Sequence, residues 1–498
     1  MKTDGEVETQ NSHQDKQEKH IVLHSHENIE TSLASERELS RELGFKEALS
    51  IGLGGTIGGG VFSVLGIAAG FAGPAAILSF AFGGILALLI GYSYSKLAIK
   101  FQSAGGSYTF AKEAFGKYFG GAFGWLLWTG YLASCSLYAY TFGSFFAHMV
   151  LPEGSPHTKL LTAIFATVLV LLSTLINLVG VKETGKSQNI IVLIKVIILV
   201  GFVAITLPHA IRNAGDNLIP FFADENGDPY NNVFKGLAMA VVGTSLLFVA
   251  FEGMELIPNA SEEIQKPEKN IPRSIFSTVI IASILYLLVA FTALGGVKYT
   301  EFAGDPEKAE YALAIAANET LGQAGFIIIS LGALFSTASA FNASLYGSSR
   351  MTYVMAREKI FPRFFQTVSK KSRVPFISIL TISIVILILT LTLDLAQIAQ
   401  LASSIFLLLF ATISLSSLVL RKKIKARFIW PLLGFILAIS LLGIFIWHLI
   451  DEVIHSTGES QQHARLTLIL LPVLLAVMII GSIITINIQE KSKKKITV

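Results

Sequence analysis

Residues 52–62 read GLGGTIGGGVF, and glycine fills six positions between Gly52 and Gly60. The stretch lies inside an apolar run, 49–69, long enough to cross a hydrocarbon core of roughly 30 Å as a helix. Glycine destabilises a helix interior by about 0.8–1.0 kcal/mol relative to alanine, so the cluster predicts a crossing that opens partway through. Close packing against another helix is the competing account, and it explains Gly54 and Gly58 through their spacing of four. It does not explain three consecutive glycines beyond Thr56. A phosphate-cradling loop fits less well still, because no strand precedes the run and the GxGxxG spacing is not met.

A second interruption lies two hundred residues on. Residues 248–273 read FVAFEGMELIPNASEEIQKPEKNIPR, where Gly253 stands between Glu252 and Glu255 and Pro258 follows. A carboxylate at membrane depth costs about 2.5–3.5 kcal/mol on insertion scales, so both acids are expected to face a cavity or a partner. The alternative is a span that ends at Phe251, with the acids solvated at the interface. Interrupted helices at corresponding places in two halves of a transporter put the substrate between the breaks, at the midplane. A half-helix N-terminus offers free N–H groups and a positive dipole end to a carboxylate, and the opposing carbonyls accept from an ammonium. An α-amino acid carries both groups.

The rest of the chain supplies the frame for these breaks. Of 498 residues, 52% are hydrophobic and 14% charged, with a mean hydropathy of +0.63, which excludes an ordinary water-soluble globule and makes the lipid bilayer the solvent. Twelve apolar segments are read as spans, at 49–69, 74–95, 120–150, 160–179, 190–207, 233–257, 274–295, 326–346, 376–393, 399–420, 428–449 and 466–486. Their length and the need to satisfy backbone polar groups inside lipid make them helices, so the fold class expected is an all-α polytopic membrane protein. Lys and Arg collect in the loops after even-numbered spans, as at Lys96, Lys100, Lys112 and Lys117, Lys266, Lys269 and Arg273, and Arg421, Lys422 and Lys423. Acids such as Asp216, Asp224, Asp228, Glu301 and Asp305 populate the other side. By the positive-inside rule both termini are cytoplasmic, in a protein of the cell membrane. The net charge of +4 thus reports topology and gives no hint of nucleic acid.

Four regions are expected: a polar cytoplasmic tail over 1–40, a transport core over 41–420, two peripheral helices over 421–488 and a basic cytoplasmic tail over 489–498. His13, His20, His24 and His26 match no common metal-ligand spacing, and no metal or cofactor is expected. Residues 37–45 read as a short amphipathic approach helix, and 101–121 as a helix lying in the cytoplasmic interface. The segments 209–235 and 297–322 are expected to be outer loops. Cys135, the single cysteine, is expected only to pack. Oligomeric state is not legible.

At these residues the chain resembles the amino acid–polyamine–organocation superfamily, and specifically prokaryotic amino acid permeases related to cationic amino acid transporters. GGTIGGGVF is similar to that family's span-one G-x-I-I-G-x-G-I-F, and FVAFEGMELIPNASEEIQKPEKNIPRSI to its span-six motif. AAGFAGPAAILSF at 68–80, AGGSYTFAKEAFG at 104–116, GVKETGKSQNIIVLIKVIILVGFVAI at 180–205 and GSSRMTYVMAREKIFPRFF at 347–365 match in order. The likeness covers about residues 40–420. It implies ten core helices in two inverted five-helix repeats plus two peripheral helices, and alternating access without ATP.

The expected substrate seat has amides of Gly58, Gly59 and Gly60 on the carboxylate, and carbonyls near Thr56 and across Val249, Phe251 and Glu252 on the ammonium. Tyr131 and Phe251 are expected as aromatic walls or gates. The resemblance also implies that Lys195 occupies the space where sodium-coupled members of this fold hold an ion, bridging carbonyls near Gly55 or Thr56 to hydroxyls of Ser336 and Ser339. Proton coupling through Lys195, with Glu255 as a second carrier, is the expectation that follows. Glu252 has three open roles: counter-charge to a cationic side chain, partner to a protein group, or proton carrier. The leading function is secondary active amino acid transport, with proton-coupled uptake ahead of exchange. An amino-acid-binding sensor is the alternative from another class, and the spans carry no constellation that suggests an enzyme.

Overall fold

The computed structural model describes residues 41–103, 105–180, 185–369, 372, 374–456 and 459–494, and the chain divides into units 1–42 and 43–498. The N-terminal tail and its histidines lie outside the described residues. Unit 43–498 is a bundle of helices, and among the described residues the only β pairings are two isolated bridges. Among the described residues, nine helical stretches are long and apolar enough to cross a membrane, and span numbers are those of the twelve segments read from the sequence. The chain is an all-α polytopic membrane protein.

Each apolar segment read from the sequence is helical. Span one is split into Phe45–Thr56 and Gly60–Ala72. Span two is Ala76–Phe101, span three Lys117–Val150, span four Thr158–Val179 and span five Gly185–Asn217. Span six begins as Val233–Leu247, tightens to a 3-10 helix over Phe248–Glu255 and ends as Leu256–Asn259. Spans seven and eight are Pro267–Gly296 and Ala312–Arg357, the latter bent at Gly322, whose φ of 64° breaks the helical path. Spans nine to twelve are Phe376–Thr392, Leu395–Val419, Ile429–His455 and Glu459–Lys494. Span ten starts from a capping box in which the Asp394 side chain accepts from the Gln397 amide and Gln397 reaches back to the Asp394 amide.

Burial separates the segments. Spans one, six and ten are lined by buried residues on almost every face, whereas spans four, five, eleven and twelve present rows of exposed leucine, isoleucine and valine, the surface that lipid would cover.

Three expectations need correction. Residues 41–44 are not helical: Leu43 instead pairs with Ile264, donating to the Glu263 carbonyl at 3.0 Å and accepting from the Gln265 amide at 2.8 Å. The entry to span one is thereby tied by backbone bonds to the exit from span six, and residues 37–40 lie outside the described residues. Within 101–121, helix Gly106–Phe115 buries Ser107, Tyr108, Phe110 and Ala111, and Tyr108 and Lys112 both bond Glu358 at the end of span eight. That helix is shorter than the segment read from sequence and is fastened to the bundle through one face. The outer loops expected over 209–235 and 297–322 are shorter: span five stays helical to Asn217 and span six starts at Val233, while span eight is helical from Ala312, where ALAIAANETL supplies strong helix formers.

Candidate functional site

The break in span one frees carbonyls, and side chains from three other spans cap them. The first half-helix ends where Ile57 adopts φ −81° and ψ 63°, so the carbonyls from Gly54 to Gly58 lose helical partners. Lys195 of span five donates to Gly54 O at 3.1 Å and Ile57 O at 3.2 Å. Ser336 of span eight donates to Ile57 O at 2.6 Å and Gly58 O at 3.1 Å. Tyr286 of span seven donates to Thr56 O, and lies 3.2 Å from Ala250 O in span six. One hydroxyl thus ties both breaks. Lys195 is only 1% exposed, so its ammonium is worked into the core by these carbonyls.

The break in span six is packed onto the first. A Cβ on Gly253 would stand 1.9 Å from the Thr56 amide nitrogen, and one on Gly60 would stand 2.6 Å from the Ala250 Cα. Only glycine permits that backbone approach. Ser403 of span ten bonds both sides of the helical transition, donating to Leu246 O and accepting from the Val249 amide at 3.2 Å. Glu252 turns to span three, where Ser134 and Tyr138 both donate to its carboxylate. The Tyr138 ring lies on the glycines, close enough that a Cβ at Gly59 would stand 2.7 Å from it and one at Gly58 3.0 Å. Glu255 is 1% exposed and neither of its oxygens has a hydrogen-bond partner. It lies beside Ser107, Tyr94 and Tyr131, while the Ser107 hydroxyl donates instead to Tyr94 at 3.2 Å.

The residues expected from sequence fall into two groups. Thr56, Gly58, Gly59, Gly60, Val249, Glu252, Lys195 and Ser336 converge on the meeting of the breaks. The carbonyls under Lys195 are those of Gly54 and Ile57, where Gly55 or Thr56 had been expected, because the turn at Ile57 swings its carbonyl round and Tyr286 holds that of Thr56. Ser339 is buried but its hydroxyl finds no hydrogen-bond partner. Phe251 packs away from the glycines: its ring stands 5.4 Å from that of Tyr286 and against Gly83 and Gly84 of span two. Tyr131 accepts from Asn259 at 2.8 Å, below the break. Sequence reading missed Ser134, Tyr138, Tyr286 and Ser403. Tyr131, Ser134 and Tyr138 share one helical face at spacings of three and four, a polar stripe that was legible.

Comparison with known proteins gives the chain a family. The chain is similar to an uncharacterised protein of Methanocaldococcus jannaschii, 32% identical over 411 residues that cover 82% of this chain and 88% of that one. The methylthioribose transporter of Bacillus subtilis is 30% identical over 82% of this chain and 88% of its own length. A branched-chain amino acid permease of Bacillus subtilis is 27% identical over 78% and 83%. The family model for amino acid permeases matches residues 47–493, so the chain belongs to the amino acid permease family and is a membrane transporter of amino acids or related solutes.

Proposed function

We propose that the protein is a secondary active transporter that takes up amino acids across the cell membrane with protons, by alternating access, with both termini cytoplasmic. The observation that carries this reading is the Lys195 ammonium seated on the Gly54 and Ile57 carbonyls, with Ser336 sharing the latter. An ammonium fixed there supplies the positive charge that a bound metal cation would otherwise bring to a broken helix, so the account requires no sodium. Losing a proton from Lys195 removes the charge that holds span one to span five. The access state in which those carbonyls are otherwise satisfied then gains, which is coupling by differential interaction. Glu255 is a second carrier, since a carboxyl with no hydrogen-bond partner is stabilised by taking up a proton.

The amides of Gly58, Gly59 and Gly60 take the substrate carboxylate in this reading, because a helix start leaves its first N–H groups free and glycine allows close approach. The substrate's ammonium goes to carbonyls between Val249 and Glu252. Tyr138 and Glu252 flank that seat. The relatives span a sugar thioether and branched-chain amino acids, so substrate class is left at amino acids. The test is uptake of labelled amino acids into proteoliposomes with an inward proton gradient and no sodium. Accumulation that collapses with the gradient is expected; accumulation that requires sodium, or binding without any transport, overturns the proposal.

A further inference from the structure

Away from the breaks, a half-buried carboxylate joins the loop between spans seven and eight to the far end of span three. Glu310 accepts from Tyr140 at 3.0 Å and from Ser144 at 2.6 Å. One turn along span three, His148 contacts Glu307 at 3.2 Å and stacks on Tyr311 with ring centroids 3.9 Å apart. Lys308 pairs with Glu153 at 2.7 Å. The same loop presses its backbone onto the second half of span one: a Cβ on Gly66 would stand 2.3 Å from Ala309 O. Residues 305–311 therefore clasp the half-helix whose first turn carries Gly60, and fasten it to span three.

We propose that Glu310 is a proton-operated clasp, by which this loop closes the outer mouth of the transporter when the carboxyl is protonated and lifts when it is charged. The inference rests on the transport reading and on the loop facing outside. Both partners of Glu310 are hydroxyls, which donate more strongly to a carboxylate but can also accept from a carboxylic acid, so the clasp stays bonded in either form. No cation bonds it among the described residues. The groups acting on it are Tyr140 of span three, Glu307 and Tyr311 of its own loop, and Asp394 before span ten, itself paired with His463. Nearby, His148 bonds Glu307, Lys308 pairs with Glu153, and Asp305 accepts from the loop's own amides. The half of span one beneath, Gly60–Ala72, holds no titratable side chain. Burial pushes the Glu310 carboxyl up to about 7, with Asp394 and Glu307 adding to it and the Ser144 and Tyr140 bonds opposing.

The sign follows. In the closed arrangement the group holds its proton up to about 7, and once the loop lifts into water it holds it only to the ordinary carboxyl range. Acid outside therefore favours closure, and that advantage is lost as pH rises through about 7. A proton arriving from outside would shut the outer mouth behind a loaded substrate, the order that symport needs.

The test reads loop lifting directly. Ala309, 6% exposed, is replaced by cysteine in a Cys135→Ala background, and the exposed Lys159 is replaced in a parallel reference protein. Labelling by an impermeant methanethiosulfonate in right-side-out vesicles is expressed as the ratio of the two rates, which cancels thiol ionisation. The ratio is expected to rise several-fold from pH 5.5 to 8.5. Glu310→Gln, an isostere of the protonated acid, should hold it low at every pH. Tyr140→Phe and Ser144→Ala, each removing a bond to the charged form, should move the midpoint to higher pH. A flat ratio in the parent, an unchanged profile in Glu310→Gln, or unmoved midpoints in both hydroxyl variants overturns the clasp; the midpoints decide if Glu310→Gln does not insert. Labelling of both cysteines only from inside would instead overturn the orientation, and neither readout depends on transport.

Discussion

The two broken spans are opened by different means, and the difference assigns them different work. Span one breaks over glycines, and what it releases is a set of carbonyls that other spans must cap with donors: Lys195, Ser336 and Tyr286. Span six does not lose its hydrogen bonding so completely. It tightens into a 3-10 helix over Phe248–Glu255, and what it brings to the core is two carboxylates, one held by the hydroxyls of Ser134 and Tyr138 and the other without a hydrogen-bond partner. One break gathers donors, an ammonium among them, and the other carries two acids. In the proposed reading a zwitterion between them meets both.

That contrast can be broken at the point where the spans touch. Gly253 rests on the Gly55–Thr56 backbone, so Gly253→Val should abolish assembly of the site, read as loss of ligand-induced thermal stabilisation in a protein that still inserts. Normal stabilisation by substrate would mean that the backbones need not meet. A smaller effect tests the shared cap. Tyr286→Phe removes a hydroxyl bonded to Thr56 O in one break and Ala250 O in the other, and leaves both carbonyls buried. One O–H proton makes one full bond, and with a net hydrogen bond worth about 0.5–1.5 kcal/mol the change should cost about that much, measured as a lower midpoint of thermal unfolding in detergent. An unchanged midpoint would show that the hydroxyl contributes nothing to joining the breaks. The smallest effect belongs to Ser339→Ala. Its hydroxyl has no hydrogen-bond partner, so stability should stay within about 0.5 kcal/mol and pH-driven uptake should persist, whereas Ser336→Ala should impair it.

The positions of the breaks were legible because their cause is local. Glycine clusters and a glycine followed by proline weaken a helix wherever they occur, and a lone lysine in NIIVLIKVIILV stands out against its own span. Which carbonyl Lys195 would meet was not legible to the residue, since it depends on the dihedral angles of Ile57 and on the competing hydroxyl of Tyr286. Tyr138, given no role from the sequence, takes the place over the glycines expected of Phe251 for a similar reason. Both are aromatics in apolar spans, and only the packing of span three against span one and of span six against span two decides which ring lies on the glycines. Glu310 was read as part of a connecting loop, because its partners Tyr140 and Ser144 lie some 170 residues away along the chain.

The central claim is that the charge on Lys195 couples protons to transport, and Lys195→Met tests it most directly. The variant keeps the length of the side chain and removes its donors from Gly54 O and Ile57 O. In sealed proteoliposomes with an inward proton gradient it should show no gradient-driven accumulation while still binding substrate in detergent. Undiminished pH-driven accumulation by Lys195→Met would contradict the account.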